Sequence, residues 1–290
     1  MDILTKAVTK DGFIRIYAVN SKNTVQEAQK IHNTSPVVTA ALGRTLTGAM
    51  LMGAMQKDEN IDLTLQIKGL GPIGLIITVA KHDGFVKGYV ENPVVDLPLN
   101  SKGKLDVGGA VGTDGYLSVV KDLKLKEPYI GKVPLQTGEI GDDLAFYFAQ
   151  SEQVPTAVAL GVLVDKDLSV KASGGFIVQV MPDCDEFTLN RVEKRVAEIT
   201  NVTSLLENGM SSEELINYVM KDFDIEILES REVGYRCDCS RERTENAIKS
   251  LGKDEIKDIL ESEGKAEVTC HFCNKSYVFD EKSLEKMLEK

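Results

Sequence analysis

Four cysteines constrain this chain more tightly than any other feature. Cys237 and Cys239 form a C-x-C pair, Cys270 and Cys273 form a C-x-x-C pair, and thirty residues separate the two. Four thiolates in two close pairs suit a closed tetrahedral metal site, and all-sulfur ligation favours zinc, with iron a poorer second. The same sulfurs can instead form two local disulfides, so the site is a candidate redox switch. The segment that carries them needs a staple. Residues 229–290 hold 27 charged side chains, against 52 in the other 228 residues. A unit that small and that poor in apolar side chains rarely folds on burial alone. Structural zinc supplies on the order of 10–16 kcal/mol in peptide systems.

The local pattern lets the pairs meet. On a strand, residues i and i+2 point to one side, so Cys237 and Cys239 can face one ion. Cys270-His271-Phe272-Cys273 reads as a knuckle between strands at Ala266–Thr269 and Ser276–Phe279. Ser240 caps a helix that ends near Gly252, and Gly264 ends the next, so the spacer folds back. His271 lies between two ligands and is expected to point outward. An extended C-x-C places its Cα atoms about 6.6–6.8 Å apart, the upper edge of the roughly 4.4–6.8 Å that a disulfide tolerates. Closing that pair would pull the backbone out of ligand geometry and remove two thiolate ligands. Oxidation is then expected to be read out as local unfolding. A permanent structural zinc is the plainer alternative.

The rest of the chain predicts an α+β protein. Residues 1–182 read as an N-terminal domain of antiparallel or mixed sheets with packed helices. Its expected strands are Phe13–Val19, Ile61–Ile67, Leu75–Ala80 and Phe85–Val90, followed by a hairpin of Val154–Val164 with Val170–Val180. Thr24-Val25-Gln26-Glu27 reads as a capping box for a short helix. Ser35-Pro36 opens a second helix that runs to about Gln56. Gly43, Gly48 and Gly53 interrupt it, which predicts close packing against other elements. Asn92–Gly115 reads as loop and Asp142–Glu152 as helix. Residues 183–228 read as a helical linker with an apolar face of Leu189, Val192, Val196 and Ile199, and a capping box at Ser211–Glu214. Residues 229–290 form the expected C-terminal zinc-binding domain.

Composition narrows the function classes. The formal net charge of −11 opposes general binding to nucleic acid or anionic membrane. The N-terminus lacks the apolar stretch of a signal peptide, so a cytoplasmic location is expected. Disulfide staples are rare there, which points clustered cysteines toward metal or redox chemistry. Cys184 stands apart as a spare thiol. Gly69-Leu70-Gly71-Pro72-Ile73-Gly74 matches a dinucleotide fingerprint in spacing, but Pro72 and the β-branched run after Gly74 oppose the required helix, so a turn is expected and no nucleotide. The three histidines form no catalytic pattern, and the chain is expected not to be an enzyme. Arg236, Arg241 and Arg243 crowd the first cysteine pair, interleaved with Glu242 and Glu245, as on a solvated face.

These motifs resemble, over the whole length, the redox-regulated bacterial heat-shock chaperones known as the 33 kDa chaperonins. Cys237-Asp238-Cys239-Ser240-Arg241-Glu242-Arg243 and Cys270-His271-Phe272-Cys273-Asn274 look like that family's zinc motif. Ser35-Pro36, the Gly43-Arg44 helix, Gly71-Pro72-Ile73-Gly74, Gly115-Tyr116-Leu117 and Ala172–Phe176 look like its N-terminal domain. The resemblance implies one zinc ion on Cys237, Cys239, Cys270 and Cys273 in an inactive reduced state. It implies that oxidative stress forms Cys237–Cys239 and Cys270–Cys273 disulfides, expels zinc and unfolds the zinc domain and linker. The product would be an ATP-independent holdase for unfolded clients, usually a homodimer, with Leu189, Val192, Val196 and Ile199 as candidate client contacts. Two rivals remain: a thiol–disulfide oxidoreductase using Cys270 and Cys273, and a zinc-ribbon nucleic-acid binder.

Overall fold

In β2 (Ile14–Asn20) both alternating sets of side chains are buried. Ile14, Ile16 and Ala18 lie on one face, Tyr17 and Val19 on the other. A strand of that kind needs a cover on each side. The computed structural model, which describes residues 1–124 and 126–288, has both covers. One is α2 (Pro36–Ala54), which shares a core with Tyr17 and Val19. The other is the helical stretch α5 (Glu186–Ala197), α6 (Val202–Glu207) and α7 (Ser212–Val219). Its Val192, Val202, Leu206, Leu215, Ile216 and Val219 form a second core with Ile14, Ile16, Ala18, Phe176 and Val178.

The remaining strands are β1 (Asp2–Thr9), β3 (Asp62–Lys68), β4 (Leu75–Lys81), β5 (Phe85–Val90), β6 (Tyr116–Asp122), β7 (Tyr129–Pro134), β8 (Thr156–Val164), β9 (Val170–Val180) and β10 (Ile225–Tyr235). They join in one ten-stranded sheet, in the order β7-β6-β3-β4-β5-β10-β1-β2-β9-β8. Every pairing is antiparallel except β5 with β10, which is parallel and covers only Gly234↔Phe85 and Tyr235↔Val86. The fold is the α+β class that the hairpin pattern predicts. The turn at His82-Asp83-Gly84 joins β4 to β5, with Gly84 at φ +83°.

Helix α2 explains its own glycines. A Cβ on Gly43 would meet Val25 at 2.6 Å, one on Gly48 would meet Leu144 at 2.6 Å, and one on Gly53 would meet the Lys81 carbonyl oxygen at 2.8 Å. The helix is long and apolar enough to cross a membrane by length and composition, yet 94% of that stretch is buried inside the protein. It is the central core helix of this unit.

Several expected elements shift. The Thr24–Glu27 capping box is not one. Helix α1 (Lys22–His32) starts three residues earlier, with Ser21 at its N-cap and no side-chain cap bond there. Its start is held from β1 instead. The buried Asp2 carboxylate accepts from the Asn23 and Thr24 amides at 3.0 and 2.6 Å, and from their side chains at 2.9 and 2.6 Å. A negative group placed against free N–H donors is also favoured by the helix dipole. The expected loop Asn92–Gly115 contains α3 (Val107–Val111). Helix α4 (Gly141–Tyr147) continues as a π turn over Phe148–Glu152. The Ser211–Glu214 capping box is present, with both reciprocal bonds formed.

The chain divides by contacts into Met1–Arg236 and Cys237–Lys290. Residues 229–236, expected in the C-terminal domain, instead belong with β10, which pairs with β1 from Ile225 to Val233. The alternation in Ile225-Glu226-Ile227 is the strand signal. The helices α5–α7, expected as a connector, rest on the first unit's sheet.

Asp2→Ala is expected to lower stability by about 2–3 kcal/mol, because it strands buried donors. Chemical denaturation followed by circular dichroism measures it.

Candidate metal centre

In Cys237–Lys290 the apolar core is thin. Ile248, Ile256, Ala266, Tyr277, Phe279, Leu284 and Met287 are its buried members. They come from α8 (Arg241–Lys249), α9 (Lys253–Glu263), the hairpin β11 (Lys265–Thr269) with β12 (Ser276–Asp280), and α10 (Glu281–Leu288). Ser240 is the N-cap of α8, its hydroxyl accepting from the Arg243 amide at 3.1 Å, and Gly264 ends α9 in the left-handed conformation at φ +64°. Both punctuation marks stand where the sequence put them.

The cysteines converge from two segments. Cys237 and Cys239 lie in the irregular stretch between β10 and α8, not on a strand. Cys270 and Cys273 lie in the turn of the β11–β12 hairpin. The Asn274 amide donates to the Cys270 carbonyl at 2.8 Å, the Cys270 amide donates to the Lys275 carbonyl at 3.0 Å, and Asn274 sits at φ 55°. The sulfurs meet across the pairs, Cys237 to Cys270 at 3.7 Å and Cys239 to Cys273 at 3.4 Å. All four lie within 4.8 Å of one another. A tetrahedron with Zn–S bonds of about 2.3 Å has sulfur–sulfur edges of about 3.8 Å, so the donor set fits zinc in both identity and spacing.

The sulfurs are not equivalent. Burial pushes the Cys237 thiol well up, although the Cys239 amide donates to it. Burial also raises Cys273, against an amide hydrogen bond from Lys275. Burial acts upward on Cys239 as well, but hydrogen bonds from the Tyr277 hydroxyl and the neighbouring thiols outweigh it and bring that group down to about 7. The Tyr277 hydroxyl lies 3.2 Å from Cys239 Sγ, and this bond raises the phenol to about 12. Burial therefore favours the protonated form of Cys237 and Cys273, and the Tyr277 hydroxyl favours the thiolate of Cys239. A bound cation must displace the thiol protons, so affinity rises with pH.

The other candidates fall outside this cluster. His271 is exposed. Cys184 lies between β9 and α5, packed on the second core, with its thiol raised by burial. Val192 is buried, and Leu189, Val196 and Ile199 are half-buried against that core, so the four face the sheet together. Gly69–Gly74 is a turn between β3 and β4, as expected. Arg236, Arg241 and Arg243 are more than a solvated face. Arg236 stacks on Phe85 and pairs with Asp83, Arg241 stacks on Phe279 and donates to the Val278 carbonyl, and Arg243 pairs with Asp238. Tyr277 is the residue that reading the sequence missed. An aromatic inside a short strand looks like core, and nothing in the spacing marks its hydroxyl.

Comparison with known proteins gives one consistent answer. The family model described as Hsp33 protein matches residues 2–280. A 33 kDa chaperonin of Clostridium botulinum is 49% identical over 288 residues, covering 99% of this chain and 97% of that protein. A 33 kDa chaperonin of Thermoanaerobacter sp. is 49% identical over 287 residues, covering 99% and 98%. The crystal structure of the 33 kDa chaperonin (heat shock protein 33 homolog) of Thermotoga maritima superimposes with a TM-score of 0.90 at 39% identity, covering 99% of this chain and 97% of that one.

Zinc binding is expected to release protons at pH 7 and to weaken as pH falls. Titration of the reduced, metal-free protein in a lightly buffered indicator solution, repeated between pH 6 and 8, reads both effects.

Proposed function

The chain belongs to the Hsp33 family of chaperones, and on that premise we propose that it is a redox-regulated, ATP-independent holdase. In the reduced form Cys237, Cys239, Cys270 and Cys273 hold one zinc ion. Bound zinc supplies the cross-link that the thin C-terminal core lacks. Oxidation joins Cys237 to Cys239 and Cys270 to Cys273, which removes all four thiolate donors. The C-terminal unit then melts, and α5–α7 come away from the sheet.

The observation that carries this reading is the pairing of a four-sulfur cluster with a core of seven buried apolar side chains among the described residues. A unit so built is stable with its cross-link and marginal without it. What the release uncovers is apolar. Leu189, Val192, Val196 and Ile199 on α5, with Ile14, Ile16, Phe176 and Val178 beneath, are the proposed client surface. Unfolded polypeptides expose the matching chemistry, and burying it requires no nucleotide. The protein is proposed to act in the cytoplasm, where thiols start reduced, and to work as a homodimer when active.

An oxidoreductase reading is weaker. Cys270 and Cys273 sit in a hairpin turn, whereas a catalytic C-x-x-C opens a helix after a strand. Nucleic-acid binding is opposed by the net charge of −11.

The deciding experiment follows light scattering of a thermally unfolding client. Peroxide-treated protein is expected to suppress aggregation while zinc appears in solution, and reduced zinc-loaded protein is expected not to. Equal protection by the reduced form would refute the proposal. Cys237→Ser loses one ligand and one disulfide together, so it is expected to bind zinc weakly and to protect clients with or without oxidant.

A separate variant tests the linker alone. A Cβ on Gly161 of β8 would meet Thr203 at 2.3 Å and Val202 at 2.9 Å, both on α6. Gly161→Leu is therefore expected to lift α6, cost about 1–3 kcal/mol by overpacking, and give partial protection of clients with zinc still bound.

A further inference from the structure

We propose that Tyr277 is a positioning residue that sets how readily the cysteine cluster is oxidised. The inference rests on the redox reading above and goes beyond it by naming a regulator within the site. Tyr277 lies on β12 opposite Val268, with its ring in the core and its hydroxyl 3.2 Å from Cys239 Sγ. A thiolate has no proton to give, so toward a metal-bound sulfur the hydroxyl is the donor. Among the hydrogen bonds described at the four sulfurs, this is the one from a side chain outside the cluster. The Lys275 ammonium sits 5.2 Å from the Tyr277 ring centroid, where it draws on the ring and strengthens the hydroxyl as a donor. Arg241 fixes the same geometry from the other side. It stacks on Phe279 and donates to the Val278 carbonyl at 2.8 Å, tying the segment just after Cys239 to β12.

The chemical consequence follows from the oxidation step. One thiolate sulfur attacks a peroxide oxygen, the O–O bond breaks, and the products are a sulfenic acid and water once a proton is taken from solvent. A second thiolate attacks that sulfur, the S–S bond forms, and hydroxide leaves. Two electrons pass from the sulfur pair to the peroxide, and zinc keeps its charge throughout. The first attack uses electron density on sulfur. A hydroxyl donating to Cys239 withdraws some of that density, as partners just outside a metal site do, and so slows attack from this sulfur. Tyr277 thereby raises the oxidant concentration at which the switch trips.

Tyr277→Phe keeps the ring and removes only the donor. The test compares the full-length variant with the natural chain in two readouts. With cobalt(II) in place of zinc, the thiolate-to-cobalt charge-transfer bands are expected to move to lower energy in the variant, a shift that a packing role alone would not produce. With zinc bound, peroxide is expected to release the ion roughly tenfold faster. Lys275→Gln, at an exposed position, is expected to move both readouts the same way by less, and it serves if the tyrosine variant folds poorly. Superimposable bands, or shifted bands with an unchanged release rate, overturn the proposal while leaving the holdase reading intact. A natural chain that keeps its zinc under peroxide overturns both.

Discussion

A shortage of apolar burial in Cys237–Lys290 is the constraint on which the functional reading depends. Seven buried apolar side chains from three helices and one hairpin cannot offset the conformational entropy of some fifty ordered residues. The ion pairs described there, Arg243–Asp238 and Lys249–Glu245, lie at the surface and contribute little. Within the same unit four sulfurs from two distant segments come within 4.8 Å, a donor set able to cross-link the segments through one cation.

The first unit has the opposite character. Its sheet is covered on both sides where β1, β2, β8 and β9 run, by α2 on one face and by α5–α7 on the other. The two covers differ in kind. Helix α2 buries 17 of its 19 residues. The α5–α7 stretch is short-helical, exposes Phe187 and Tyr218, and adds polar fastening to its apolar face: the buried Arg195 donates to the Val219 carbonyl at 3.2 Å and to Glu198 at 2.7 Å. The first cover is buried almost throughout, whereas the second is buried along one face and open to solvent on the other.

Much of this was legible in the residues. The cysteine spacing, Ser240, Gly264, Ser35-Pro36 and the three glycines of α2 each stand where their local chemistry predicts. What was not legible is what arises only in three dimensions. Asp2 caps a helix that begins twenty residues later, so the Thr24–Glu27 pattern imitated a box whose function is performed from β1. β10 follows three helices and precedes the cysteines, and nothing local in its alternation tells that it pairs with the first strand of the chain. The hydroxyl of Tyr277 gains its meaning from a sulfur thirty-eight positions away.

The two-residue parallel contact between β5 and β10 has a mechanical consequence. It is a seam between two antiparallel halves, each fully laddered within itself, and few main-chain bonds cross it. Their mutual register is kept by α2, whose buried side chains reach Leu63 and Ile76 in one half and Tyr17 and Val19 in the other. The helix acts as an axle. The two ladders can therefore differ in twist on either side of the seam without either one losing a pairing, and the helix packed across both sets the angle at which they meet.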